Sequence, residues 1–320
     1  MITNPGRTWQ PPRLRLFEDG QRRATWLELF YDLVFVVAVA ELAGVLADGN
    51  VGGYVGLFIP IWWAWGGYVF YANRFDTDDV SHRLLVTAQI LAVSLMAASI
   101  GDIQGRSALF AVAYTLVRLL LIVAYIRVAR SIPEARALAV SYATGFSIAV
   151  VFWLGSLALP LPQRYLLWGV AIVIDLATPF VSRRFQHALP PQSEHLPERF
   201  GLLVVIVLGE VVASIIMGLK DHPITPVTLL IALAGIVGAV AAWWAYFDHI
   251  DETVVLRTQM AGQVWTYSHL PLAMALVAFG VGVEQLIVHP GATAWWIIAA
   301  AVAGVALSLA AQRISARKPS

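Results

Sequence analysis

Thr25–Leu46 reads T-W-L-E-L-F-Y-D-L-V-F-V-V-A-V-A-E-L-A-G-V-L. A bilayer span needs about 20 apolar helical residues, and this stretch supplies them while carrying Glu28, Asp32 and Glu41. A carboxylate inside hydrocarbon costs roughly 2.5–3.5 kcal/mol on insertion scales, so three in one span call for partners, protonation or water. The fold follows from the length of the run; the function turns on what the three acids face.

The same character continues outward through the chain. Of 320 residues, 59% are hydrophobic and 13% charged, with a mean hydropathy of +0.73. Soluble domains carry about 25% charged residues, so the expected fold class is an all-α polytopic membrane protein. Ten runs reach span length, at 25–47, 52–74, 83–100, 107–129, 137–158, 164–182, 199–219, 225–247, 263–285 and 292–312. They form a transmembrane domain over 25–312, preceded by a polar, Arg-rich cytoplasmic arm at 1–24 and followed by a cytoplasmic tail at 313–320. No A-x-A-like site follows the first apolar run, so a cleavable leader is not expected. Cys is absent, which excludes disulfides, thiolate metal ligands and Cys nucleophiles.

Positive charge tests the orientation independently. With the N-terminus inside, seventeen of the 21 Lys and Arg fall on inner segments, three (Arg106, Arg164 and Lys220) fall in outer loops, and Arg118 lies within a span. The expectation is N-in and C-in, multi-pass, in the cell inner (plasma) membrane. A weak internal repeat accompanies it. Glu28-Leu29-Phe30 recurs as Glu198-Arg199-Phe200, and Phe75-Asp76-x-x-Asp79 recurs as Phe247-Asp248-x-x-Asp251. Helices one to four (25–130) then match helices seven to ten (199–312) in parallel, with 137–182 connecting them, a plan known among transporters.

Five motifs occur in order: W-L-E-L-F-Y-D-L-V-F-V from Trp26, R-F-D-T-D-D from Arg74, E-R-F-G-L-L-V-V-I-V-L-G-E from Glu198, W-W-A-Y-F-D from Trp243 and Y-S-H-L-P-L from Tyr267. Together they resemble the bacterial low temperature requirement A (LtrA) family over about Thr25 to Arg313. The resemblance implies a multi-helix membrane protein; the family's name describes a growth phenotype, not a chemistry. A looser likeness links Phe30-Tyr31-Asp32 to the F-S-D of a potassium channel family, with Tyr in place of Ser.

Depth arithmetic isolates the chemistry. At 1.5 Å per residue, Arg118, Asp175 and Glu210 lie roughly 15–17 Å from their helix starts, while Asp32 and Glu41 straddle the centre at about 10 and 24 Å. These five are expected to share a buried polar core. Arg118 is an obligate cation and needs a carboxylate, with Glu210 or Asp175 at the right depth. The pair is either a static bridge that orients helices or an exchangeable element of a pathway. One Arg cannot neutralise four carboxylates, and burial favours the protonated acid, so some of the four are expected to carry protons.

His269, before Leu270-Pro271, sits beside a proline kink and is a candidate gate, or else a satisfied core histidine. Glu28 and Glu198 are interfacial. Asp76 and Asp79, with Asp248 and Asp251, form acidic clusters at two inner helix ends. They are candidate cation ligands, or simply helix caps and salt bridges; no strong metal motif identifies a metal. No G-x-S-x-G, P-loop or G-x-G-x-x-G occurs, and Gly280-Val281-Gly282 lies inside an apolar span, so no cofactor is expected and an enzyme is disfavoured. The preferred function is a membrane transporter or proton/cation pathway built on buried carboxylates and an intramembrane Arg. The alternatives are an intramembrane enzyme acting on a lipid or polyprenyl substrate, or a membrane sensor or structural protein. The expected partners are the lipid bilayer and a small solute or ion, without nucleic acid; a homo-oligomer is left open.

Overall fold

The computed structural model of the chain describes residues 10–14, 25–76, 79–186, 195–220, 222–248 and 258–316. Ten helices among them are long and apolar enough to cross a membrane. They are α1 (Trp26–Ala47), α2 (Val51–Arg74), α3 (Val80–Ile100), α4 (Ile103–Ser131), α5 (Arg136–Ser156), α6 (Gln163–Val181), α7 (His195–Lys220), α8 (Pro226–Phe247), α9 (Gln259–Val288) and α10 (Ala292–Ala316). A 3-10 turn, Pro133–Ala135, leads into α5, and one helical turn, Arg183–Gln186, follows α6. A short β1 (Arg13–Leu14) pairs antiparallel with β2 (Phe75–Asp76). The protein is a polytopic, all-helical membrane protein, as its composition requires.

Helix starts extend beyond the apolar runs because polar caps begin them. In α3, Asp79 accepts a hydrogen bond from the His82 amide at 2.7 Å, which moves the start from the expected 83 to Val80. In α9, Thr258 accepts from the Ala261 amide at 3.0 Å, and the helix begins at Gln259 rather than 263. A capping residue satisfies an amide that has no partner in the first turn. Hydropathy does not register such a turn.

The chain forms two compact units, Met1–Ala38 with Pro60–Leu196, and Val39–Ile59 with Pro197–Ser320. In the first, α3, α4, α5 and α6 pack as successive neighbours around buried aromatic side chains, among them Trp63, Trp65, Trp153, Tyr114 and Tyr125. Tyr125 stacks on Tyr142 of α5 with ring centroids 5.2 Å apart. Gly145 of α5 leaves room for the Thr178 side chain of α6, which a Cβ there would strike. In the second unit, α9 packs on α8 and α10. A Cβ at Gly280 of α9 would lie 2.8 Å from the Val211 Cα of α7, and one at Gly282 would lie 2.8 Å from Ile298 Cγ1 of α10. Small residues at such crossings let membrane helices approach closely. Leu230, Val237, Trp296 and Leu307 are exposed, as lipid-facing side chains of a span should be.

Candidate functional site

The first unit is centred on Arg118 of α4. Its Nε donates to Asp175 Oδ2 of α6 at 2.9 Å and to the Tyr114 hydroxyl at 3.0 Å, and its Nη2 donates to the same hydroxyl at 2.6 Å. Tyr114 in turn donates to Asp175 Oδ2 at 2.6 Å. One phenol thus accepts twice and donates once, which exhausts its capacity. Both charged side chains have 0% exposure. The guanidinium carbon lies 4.9 Å from the Tyr114 ring centroid, 5.2 Å from Phe146 and 6.0 Å from Trp63, so aromatic faces supply the remaining wall. Gly67 of α2 gives it space: a Cβ there would lie 2.6 Å from Arg118 Nη1. Of the two partners at the right depth, the cation takes Asp175. A pair this dry is a geometric pin between α4 and α6, and removing one member of such a pair costs about 3–5 kcal/mol.

Asp32 is buried at 2% exposure and accepts from the Trp65 indole N–H at 2.8 Å. The Tyr31 hydroxyl donates to the Ala64 carbonyl at 3.3 Å, so adjacent residues of α1 both bond to α2. Glu28 belongs to a capping box: the Thr25 amide donates to its carboxylate at 3.0 Å, while its own amide donates to Thr25 Oγ1 at 3.2 Å. The T-x-x-E spacing carries that signal.

In the second unit, Glu210 of α7 is 9% exposed. It accepts from the Ser214 hydroxyl one turn on, at a long 3.4 Å. His269 of α9 is 1% exposed and stands 2.7 Å from the Trp265 carbonyl through Nδ1. A carbonyl only accepts, so Nδ1 carries the proton and donates. Nε2 lies 3.0 Å from the Tyr246 hydroxyl of α8 and 3.4 Å from Gln312 Nε2 of α10. The Phe200 ring of α7 is 4.6 Å away, centroid to centroid. His269 thereby touches three other helices of its unit. Glu41 is exposed, and so are Glu198 and Asp248.

The five mid-depth residues accordingly divide: Asp32, Arg118 and Asp175 belong to one unit, Glu41 and Glu210 to the other. Of the acidic clusters, Asp251 lies outside the described residues, and Asp76 is described through its backbone pairing with Arg13. Asp79 is buried and its carboxylate is bonded three ways. Its Oδ2 accepts from the Gln10 amide at 2.7 Å and from Arg127 Nη2 at 2.8 Å, and its Oδ1 caps α3. Arg127 Nη2 also donates to the Gln10 carbonyl at 3.1 Å. Burial pushes the Asp79 carboxyl up, but the Gln10 and His82 amides and the Arg127 guanidinium outweigh it and hold it below the ordinary carboxylate range. Among the described residues, no group of three or more His, Asp or Glu is placed to hold a metal ion.

Sequence reasoning passed over Tyr114, Gly67, Trp65, Arg127, Tyr246 and Gln312. Tyr114 was within reach, since it stands one turn before Arg118 on the same face. The others are tertiary partners with no local signature.

The model of the family described as Bacterial low temperature requirement A protein (LtrA) matches residues 23–318. An uncharacterized protein, RA0937 of Rhizobium meliloti (strain 1021), is 28% identical over 299 residues, covering 87% of this chain and 73% of that protein. No solved structure matches the chain.

Proposed function

Because the chain belongs to the bacterial low temperature requirement A family and is a multi-pass membrane protein, we propose that it is a transporter, or a proton or cation pathway, of the bacterial inner membrane. Glu210 carries this reading. It is a buried carboxyl at mid-span whose hydrogen-bond partner among the described residues is a neutral hydroxyl. Intramembrane carboxyls of this kind mark ion and proton paths. With Asp175 committed to Arg118, Glu210 is the mid-depth acid of its unit placed to take up and release a proton, and Asp32, buried against the Trp65 indole, is the acid of α1 in the other unit that the test also addresses. His269, two residues before the helix-internal Pro271, serves as the gate at the inner end of the second unit.

The parallel repeat fits this plan. Tyr68 of α2 meets His82 Nε2 of α3 at 3.3 Å, and Tyr246 of α8 meets His269 Nε2 of α9 at 3.0 Å. The registers differ, so the support lies in the shared choice of elements and side chains. The intramembrane-enzyme alternative requires an acid on His269. Its Nδ1 lies against the Trp265 carbonyl and its Nε2 against Tyr246 and Gln312.

Proteoliposomes loaded with a pH-sensitive dye and driven by a potassium diffusion potential test the proposal. Wild-type protein is expected to move protons, and E210Q to lose at least about tenfold in rate, the effect of roughly 1.4 kcal/mol on a barrier. Wild-type rates in both E210Q and D32N sink the reading.

A further inference from the structure

The first unit carries a groove of ≈ 920 Å³ between α5 and α6, lined at one end by Arg136, Ser141, Ser182 and Arg184 and along its length by apolar side chains including Ile148 and Ile174. A second groove, ≈ 490 Å³, lies on the α4 flank of α5 and shares Arg136, Val140, Thr144 and Ile148 with the first, adding Arg130. No acidic residue lines either one. Arg136 opens α5 and Arg184 follows the end of α6, so the cationic ends coincide, at the side that the distribution of Lys and Arg assigns to the cytoplasm.

We infer that the α5–α6 groove is a binding site for an anionic glycerophospholipid of the inner leaflet. Its phosphate is held by Arg136 and Arg184, and an acyl chain lies along Val140, Ile148 and Ile174. Three observations meet here. First, both arginines are exposed, and among the described residues neither forms a salt bridge. The Arg184 guanidinium carbon stacks 4.6 Å from the Phe185 ring, which orients it while leaving its edge donors open to a phosphate. Second, the Ser141 and Ser182 hydroxyls, 2.8 Å apart, have one proton between them after their mutual bond to offer a headgroup oxygen. Third, the run from Arg136 to Ile148 rises about 18 Å, which matches the roughly 15 Å hydrocarbon depth of one leaflet. The groove exists because Ala137 and Ala177 line it and are too small to fill it. Basic pockets between spans on the cytoplasmic side recognise anionic lipid headgroups. A free anion would need the arginines but not the apolar length, which is why the occupant is a lipid.

The test is native mass spectrometry of the purified protein released from mixed phosphatidylglycerol and phosphatidylcholine. Wild-type protein is expected to retain phosphatidylglycerol by about tenfold or more over phosphatidylcholine, two surface arginines each contributing several-fold. R136Q/R184Q should abolish the preference. T144W, at an exposed lining position, should reduce retention of the lipid while leaving the charge in place. Thermal midpoints in phosphatidylcholine alone, unchanged by either variant, establish that both are folded. Wild-type preference in the folded double variant overturns the site. Displacement of phosphatidylglycerol by millimolar inorganic phosphate overturns the lipid as its occupant.

Discussion

Arg118 brings five N–H donors into a fully buried position, and its Nε and Nη2 are anchored on one carboxylate oxygen, directly and through the Tyr114 hydroxyl. Removing that hydroxyl leaves guanidinium donors without acceptors, so Y114F is expected to lower stability by about 1–3 kcal/mol, measured as the thermal midpoint in detergent. D175N breaks the ion pair and is expected to cost more, about 3–5 kcal/mol, whereas the apolar double variant R118M/D175L should recover most of that loss because no charge is stranded. If D175N is as stable as wild type, the pin between α4 and α6 is not what holds them. G67A probes the same place by volume. Its methyl would meet Arg118 Nη1 at 2.6 Å and Leu121 Cδ2 at 2.9 Å, and overpacking of this kind costs about 1–3 kcal/mol.

At the scale of elements, Asp79 joins three of them: it caps α3, pairs with Arg127 of α4 and holds the backbone of Gln10. Because its folded carboxyl is held below the ordinary range, the stabilisation is fully present above the unfolded value of about 4. It is lost as pH falls through the lower folded value. Limited proteolysis within the described segment Gln10 to Leu14 should therefore be slow at neutral pH and accelerate only in strong acid. D79N separates the two roles. Asn is as good an N-cap as Asp, so α3 should keep its start, while loss of the carboxylate charge facing Arg127 should expose the segment around Gln10 at neutral pH. Unchanged cleavage in D79N would show that the β1–β2 pairing holds the segment unaided. The Asp79 cap was legible as an acid at a helix start; its partner Arg127, 48 residues on, was not, because no local spacing links them.

For the whole molecule, the charge asymmetry predicts a topology that the Cys-free chain makes easy to check. A single cysteine in D48C should react with a membrane-impermeant maleimide in intact cells, and one in E134C should react only after lysis; the reverse pattern overturns the orientation. Ten spans were readable from the chain because transfer into hydrocarbon acts on each apolar run separately, whatever its neighbours. Caps displaced the boundaries, since a polar first turn contributes nothing to hydropathy. The site was readable in part: depth placed Arg118 level with both Asp175 and Glu210, and depth is a property of one helix at a time. The choice between them belongs to packing. Asp175, 57 residues along the chain, won because α4, α5 and α6 are successive neighbours in one unit, while Glu210 lies in the other. The sequence by itself therefore determined the membrane class, the number of spans and the depth of each acid along its own span, but not which acids of the run from Thr25 to Leu46 are buried: Glu41 is exposed and Glu28 is buried. Only the tertiary structure decided which of them meets a cation, because a buried charge selects its partner by helix adjacency, and adjacency is not written in any single span.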